Sequence, residues 1–284
     1  MSIKLIASDI DGTIINENRE ISKRTRDVIQ RLKDHDIRFT FATGRSFDST
    51  YLLAQSISNG DDTYGLICLN GQETYEFPSL IKTQKETLTF EESVKMMELG
   101  EKFYLGIMYC YDDVIYFQMD DLSYRDYMIA MGDDVKRFFN MNIETVEIKS
   151  VYDIQHRFET DRIQKIAYIQ APQYMDLVVN RMRESLDEKF ELLQVGPGWT
   201  EVAIHDVTKG AALIEYAAKY GITPDEIMVF GDSENDISML KIAKVAVVME
   251  NGMESAKAHA TDFTLSNDDD GVAVYIEKYL DSLK

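Results

Sequence analysis

Cysteine and proline are scarce in this chain, at two and four residues among 284. The two cysteines, Cys68 and Cys110, both sit in apolar segments. They cannot build a disulfide framework, no zinc-type spacing accompanies them, and they fit buried thiols in a reducing compartment. Few prolines, 15 glycines and no repeat exclude collagen-like and low-complexity chains. Cations are in deficit as well: 30 Lys and Arg face 50 Asp and Glu, a formal charge of −20. That field opposes nucleic acid and anionic membrane surfaces, so neither is expected as a partner. Long apolar runs are missing too. Ile3–Ala7 is too brief for a signal-peptide core, and nothing approaches the ~20 residues of a membrane span, so the expected location is the cytoplasm. The glycine patterns of phosphate cradles and dinucleotide folds are incomplete, since Gly196-Pro197-Gly198 lacks its third glycine.

What is present is a chain 45% hydrophobic and 28% charged, long enough for two globular domains. Ile3–Ser8 reads as a buried strand ending at Asp9-Ile10-Asp11-Gly12-Thr13. A helix capped by Ser22 follows, with Val28, Ile29 and Leu32 on one face. A second strand, Ile37–Ala42, ends at Thr43-Gly44-Arg45 and leads to another helix, and a third, Gly65–Leu69, ends at the turn Asn70-Gly71. Such βαβα order makes a parallel sheet with right-handed crossovers. From about Pro78 to Pro197 hairpin-like strands dominate, including Tyr104–Cys110 with Val114–Met119, and an inserted α+β unit is expected. Alternation resumes with a strand at Trp199–Ile204, a helix from Gly210, a buried strand Ile227–Phe230 ending at Gly231-Asp232, and two further αβ units. The expected fold is therefore α/β, a Rossmann-like parallel-sheet core of residues 1–80 and 198–284, with an inserted α+β domain at 81–197.

In open α/β sheets ligands bind beyond the carboxyl ends of the strands. Here those ends carry Asp9 and Asp11, Thr43 and Gly44, Asn70, and Asp232. Taken alone, Asp9-x-Asp11-Gly12-Thr13 is also an ordinary polar turn. It fits a calcium loop poorly, because Gly12 follows Asp9 by three residues and a strand precedes it. Gly231-Asp232-Ser233-Glu234-Asn235-Asp236 alone is a helix cap. Together, Asp9, Asp11, Asp232 and Asp236 crowd one sheet edge. Two unit charges 4 Å apart repel by roughly 4 kcal/mol at an effective dielectric near 20, so the cluster calls for a cation, and hard oxygen ligands favour Mg²⁺.

Thr43-Gly44-Arg45, between a strand and a helix, offers backbone N–H groups and a hydroxyl to phosphate oxygens, although Thr43 alone reads as an N-cap. Lys209 opens a helix, where a cation opposes the dipole, and this points to a bound anion. His35, His156, His205 and His259 are scattered and read as structural or solvated.

These four segments, in this order, resemble the motifs of the haloacid dehalogenase superfamily, and specifically its Cof-type phosphatases. Asp9–Thr13 looks like the first motif, Thr43-Gly44-Arg45 the second, Lys209-Gly210 the third and Gly231–Asp236 the fourth. The resemblance also takes in Asn70-Gly71 and Met249-Glu250-Asn251-Gly252, and the family places an α+β cap where the insert lies. It implies a Mg²⁺-dependent phosphatase acting on a small phosphorylated metabolite, with sugar phosphates foremost and nucleotides, flavin mononucleotide and pyridoxal phosphate as alternatives. Asp9 would be the nucleophile and form an aspartyl-phosphate, and Asp11 the acid and base. Thr43, Gly44, Lys209 and Asn235 would hold the phosphate. The metal would sit on Asp9, the backbone carbonyl of Asp11 and Asp232, with Asp236 behind them, while Arg45 either ties cap to core or, as favoured here, pairs with a surface acid. Gln72, where the family often has a small residue, and Asp206-Val207-Thr208 in place of Gly-Val-Ser depart from the pattern and bear on substrate choice. A phosphomutase of the same superfamily, a phosphoacceptor module and an idle binding protein are the rivals; a phosphoacceptor needs no cap, and both aspartates of the first motif speak against idleness.

Overall fold

Apolar runs bounded by turn residues become strands in the computed structural model, which describes residues 2–57, 64–132 and 144–283. The chain divides into two compact units, Met1–Lys85 with Asp206–Lys284, and Glu86–His205. The first holds β1 (Leu5–Ser8), β2 (Arg38–Ala42), β3 (Tyr64–Cys68), β4 (Glu73–Glu76) and β5 (Ile81–Gln84) before the insert. The insert carries β6 (Gly106–Cys110), β7 (Val114–Gln118), β8 (Glu144–Glu147), β9 (Lys165–Ile169), β10 (Phe190–Gly196) and β11 (Trp199–Ile204). The chain then returns to the first unit with β12 (Ile227–Gly231), β13 (Val245–Met249) and β14 (Asp262–Thr264).

The first unit's sheet runs β14-β13-β12-β1-β2-β3-β4-β5, parallel from β14 to β3. β1, β3 and β12 are buried along their whole lengths, as continuous apolar strands covered on both faces must be. The period of two divides the cores: Ile6, Phe39, Phe41, Leu66 and Phe230 pack on one face, Leu5, Ala7, Ile67, Val229 and Leu213 on the other. Ser22 caps the helix Lys23–Arg31 by accepting the Thr25 N–H. Among the described residues no helix is long and apolar enough to cross a membrane.

Three strands depart from the sequence expectation. Asn70-Gly71 reverses the chain, so that β4 and β5 extend the sheet antiparallel and carry the first unit to Lys85. Both segments, ETYE and IKTQ, are short and polar, and β5, mostly exposed, forms the edge of the sheet. Trp199–Ile204, expected to rejoin the core, instead pairs antiparallel with β10 and β9. The physical reason is the turn before it: Gly198 at φ 69° closes a tight hairpin on β10, and a hairpin returns a strand to its own sheet.

The second unit is a six-stranded sheet, β10-β11-β9-β6-β7-β8, antiparallel except for β7 with β8. The expected β6–β7 hairpin is present. Helices Phe90–Lys102, with a Thr89–Glu92 capping box, and Pro172–Arg183, with proline in its first turn, flank it. A further helix, Asp121–Met131, contributes Tyr127 and Met131 to the core around Met108, Phe117 and Ile169.

Candidate active site

The candidate site residues belong to the first unit, on the turns that follow β1, β2, β3, β12 and β13 and, for Lys209, at the start of a helix. Asp9 follows β1, and the chain then wraps one wide turn over Ile10–Ile14. Gly12 makes that turn possible at φ 76°, and a Cβ there would lie 2.6 Å from the Asp232 Oδ2. Asp232 follows β12, and the next residues form the helical turn Glu234–Asp236. Lys209 is the first residue of the helix Lys209–Ala218, whose N-cap Thr208 accepts the Ala211 N–H.

These pieces converge. The Lys209 Nζ, fully buried, donates to the Asp9 Oδ1 at 2.5 Å and to the Asp236 Oδ1 at 2.7 Å. The other Asp236 oxygen accepts the N–H groups of Asp232 and Ser233 at 2.8 and 3.0 Å, so both its oxygens serve the protein itself. Thr13 donates its hydroxyl to the Asp232 Oδ1 at 2.8 Å, joining the two ends of the chain. One oxygen from each of Asp9, Asp232 and Asp236 lies within 4.8 Å of the others.

The electrostatics follow from burial. Burial raises the Asp9 carboxyl well above its ordinary value; Lys209 opposes this, and Asp236, Asp232 and Asp11 reinforce it. Asp232 is pushed up to about 7, by burial first and Asp236 next. Burial works against the Lys209 charge, yet two carboxylates overcome it and hold the ammonium above its ordinary value. There is no conflict here, since Lys209 sees two anions while Asp9 sees one cation and several anions. Three carboxylates against one ammonium leave an excess of two negative charges (3 − 1) when all are ionised, and a divalent hard cation fits that donor set.

The loop Thr43-Gly44-Arg45 lies beside the Gly231–Asp236 segment, where a Cβ on Gly44 would fall 3.7 Å from the Asn235 Nδ2. Thr43 does not cap the helix that follows; Ser46 precedes Phe47–Gln55, and the buried Thr43 hydroxyl instead accepts the Arg45 N–H at 3.1 Å. The helix begins too late for Thr43 to reach it. Asn235 accepts the Ser233 hydroxyl at 2.7 Å and donates its Nδ2 to the Asn70 Oδ1 at 3.0 Å. The Asp11 carboxylate stays out of the acidic cluster. It is 60% exposed and accepts from the Arg45 Nε and a terminal nitrogen at 2.7 and 2.6 Å, so the acid that Arg45 pairs with is Asp11. Among the histidines, His205 falls in the other unit.

Three contributors were given no role from sequence: Thr13; Asn70, placed only at a strand end; and Asn251, which donates to the Gly12 carbonyl at 2.8 Å. Each lies within a segment of the resemblance, but its partner is more than 160 positions away.

A model of the haloacid dehalogenase-like hydrolases matches residues 6–276. A 5-amino-6-(5-phospho-D-ribitylamino)uracil phosphatase of Bacillus subtilis is 29% identical over 294 residues, covering 98% of each chain. The crystal structure of a haloacid dehalogenase-like hydrolase from Bacteroides thetaiotaomicron superposes with a TM-score of 0.74 at 26% identity, covering 98% of this chain and 99% of that one. The subclass IIB sugar phosphatase BT4131 shares the fold, with a TM-score of 0.73 at 22% identity over 97% of this chain and 98% of its own.

Proposed function

The chain belongs to the haloacid dehalogenase-like hydrolases, and we propose that it is a Mg²⁺-dependent phosphatase that hydrolyses a small phosphorylated metabolite through an aspartyl-phosphate on Asp9. The convergence of Asp9, Asp232 and Asp236 around Lys209 carries this reading, because it sets a carboxylate nucleophile between a fixed cation and a donor set for a second one.

In the first half-reaction an Asp9 oxygen attacks phosphorus, the bond from phosphorus to the alcohol oxygen breaks, and Asp11 delivers a proton to that oxygen. In the second, Asp11 takes a proton from water, the water oxygen attacks phosphorus, and the Asp9 carboxylate is released with inorganic phosphate. Thr43, the Gly44 N–H, Lys209 and Asn235 hold the transferring oxygens and stabilise their charge. Asp9, Asp232 and the Asp11 backbone carbonyl would hold Mg²⁺, which when bound offsets the repulsion between nucleophile and phosphate. Asp236, engaged by Lys209 and two backbone N–H groups, shapes the site from behind. Arg45 donates to both Asp11 oxygens and orients the ionised carboxylate, so one of these contacts must open for Asp11 to carry the proton it delivers.

We assign the choice of leaving group to the second unit, Glu86–His205, and place the enzyme in the cytoplasm, where Cys68 and Cys110 stay reduced. A sugar phosphate is the favoured substrate class. The ribityl phosphate named for the Bacillus subtilis relative is chemically close, a phosphate ester on a polyhydroxylated chain. Incubation with Mg²⁺ and a panel of sugar, polyol and nucleotide phosphates should liberate inorganic phosphate from at least one sugar or polyol ester. Release confined to nucleotides would overturn the substrate class, and no release from any ester would overturn the reaction.

Two expected results concern the metal. Excess EDTA should abolish turnover and added Mg²⁺ restore it; undiminished activity in EDTA would remove the metal from the account. With Asp232 at about 7 in the metal-free protein, protons compete with the cation. Mg²⁺ affinity by calorimetry should therefore fall as the pH drops below about 7, with proton release on binding, whereas an affinity flat across that range would contradict the assignment of Asp232.

A further inference from the structure

Of the four strand ends at this edge, one has no part in the reaction as written: the turn Leu69–Gly71 after β3. Leu69 and Asn70 both lie in the left-handed region, at φ 49° and 55°, which most side chains avoid and asparagine tolerates. Strained turns of this kind persist where their surroundings hold them, and they gather at functional sites.

The surroundings here are the other motif loops. The Leu69 N–H donates to the Arg45 carbonyl and the Asn70 N–H to the Thr43 carbonyl, each at 3.0 Å. The Asn70 Oδ1 accepts the Asn235 Nδ2 at 3.0 Å. Gly71, at φ 103°, lies so near the helix that begins with Lys209 that a Cβ would fall 2.3 Å from the Thr208 carbonyl oxygen. One turn thus touches the segments bearing Thr43, Lys209 and Asn235.

We propose that Asn70 is a positioning residue for the phosphate grip, its backbone N–H setting the Thr43-Gly44 loop and its side chain setting the Asn235 carboxamide. The inference rests on the phosphatase reading of this site. Asn235 is held at both ends, its oxygen by Ser233 and its nitrogen by Asn70, which fixes the plane of the amide. Without the Asn70 side chain only the Ser233 hydroxyl restrains that plane, and misplacing a donor by an ångström can cost on the order of 100-fold in rate.

Asn70→Gly is the informative variant, because glycine accepts the left-handed backbone and keeps the N–H to Thr43 while deleting only the side chain. With p-nitrophenyl phosphate as probe and Mg²⁺ present, kcat/KM should fall by about 10–100-fold. Inhibition by inorganic phosphate should weaken by about tenfold, and the melting temperature should stay near that of the wild type. Made in an Asn235→Ala background, Asn70→Gly should cost little more, since the two side chains act as one unit. An unchanged kcat/KM and phosphate affinity, or an equal loss in both backgrounds, would overturn the inference. So would a lowered melting temperature that accounts for the lost rate while the folded fraction binds phosphate normally. A wild-type protein that neither binds inorganic phosphate nor releases it from any ester would defeat the phosphatase reading instead.

Discussion

Asp9→Asn is expected to lower phosphate release by on the order of 10⁴-fold or more while the protein stays folded. An amide cannot attack phosphorus, yet it matches the carboxylate in shape and still offers an oxygen to Lys209, whose second partner, Asp236, is untouched. Stability should move the other way. Burial and three neighbouring carboxylates make ionised Asp9 unfavourable in the metal-free fold, and asparagine relieves that repulsion. In EDTA the variant should melt at or above the wild-type temperature. Loss of activity combined with stability at least equal to wild type is the mark of a nucleophile kept at a cost to the fold. Near-normal turnover by Asp9→Asn would remove Asp9 from the chemistry, and a large fall in melting temperature would reassign it to structure.

Lys209→Met should fail in both respects. Methionine fills a similar length but leaves Asp9 and Asp236 facing each other, almost wholly buried, with no cation between them. Removing one partner of a buried ion pair typically costs about 3–5 kcal/mol, which in a domain of this size lowers the melting temperature by on the order of 10 °C. Turnover should drop by at least about 100-fold, because the proposed reaction loses the cation assigned to the transferring oxygens. Mg²⁺ should restore part of the stability and none of the rate. A variant as stable as wild type in EDTA would show that the two carboxylates do not depend on Lys209.

These two residues illustrate what can be read from a sequence and what cannot. Asp9 and Asp232 declare themselves because each ends an apolar strand in a polar turn, and ligands gather at such ends. Lys209 announces itself by opposing its helix dipole; the anions it meets are Asp9 and Asp236 of the protein itself. Arg45 is different. Nothing local reveals that its acid is Asp11, since that pairing arises only when β1 and β2 lie side by side. The link between Asn70 and Asn235 spans 165 positions and is equally invisible.

The parallel strands β1, β3 and β12 were legible as continuous apolar runs and β2 as a strand between turn residues, whereas the short polar β4 and β5 were not. The helix Asp121–Met131 escaped notice because Leu122 and Ile129 face solvent, which blurs its apolar stripe. The sheet to which β11 belongs depends on the hairpin before it, a matter of one glycine's backbone rather than of hydrophobic pattern.

The proposed reaction passes through a covalent phosphoryl group on Asp9. Turnover should be quenched in the steady state with borohydride, which reduces an acyl phosphate to the alcohol, and the peptide containing residue 9 analysed by mass spectrometry. Homoserine at position 9, formed only with substrate and Mg²⁺ present, is the predicted result; steady phosphate release with aspartate intact at position 9, or with reduction at another carboxylate, would contradict it.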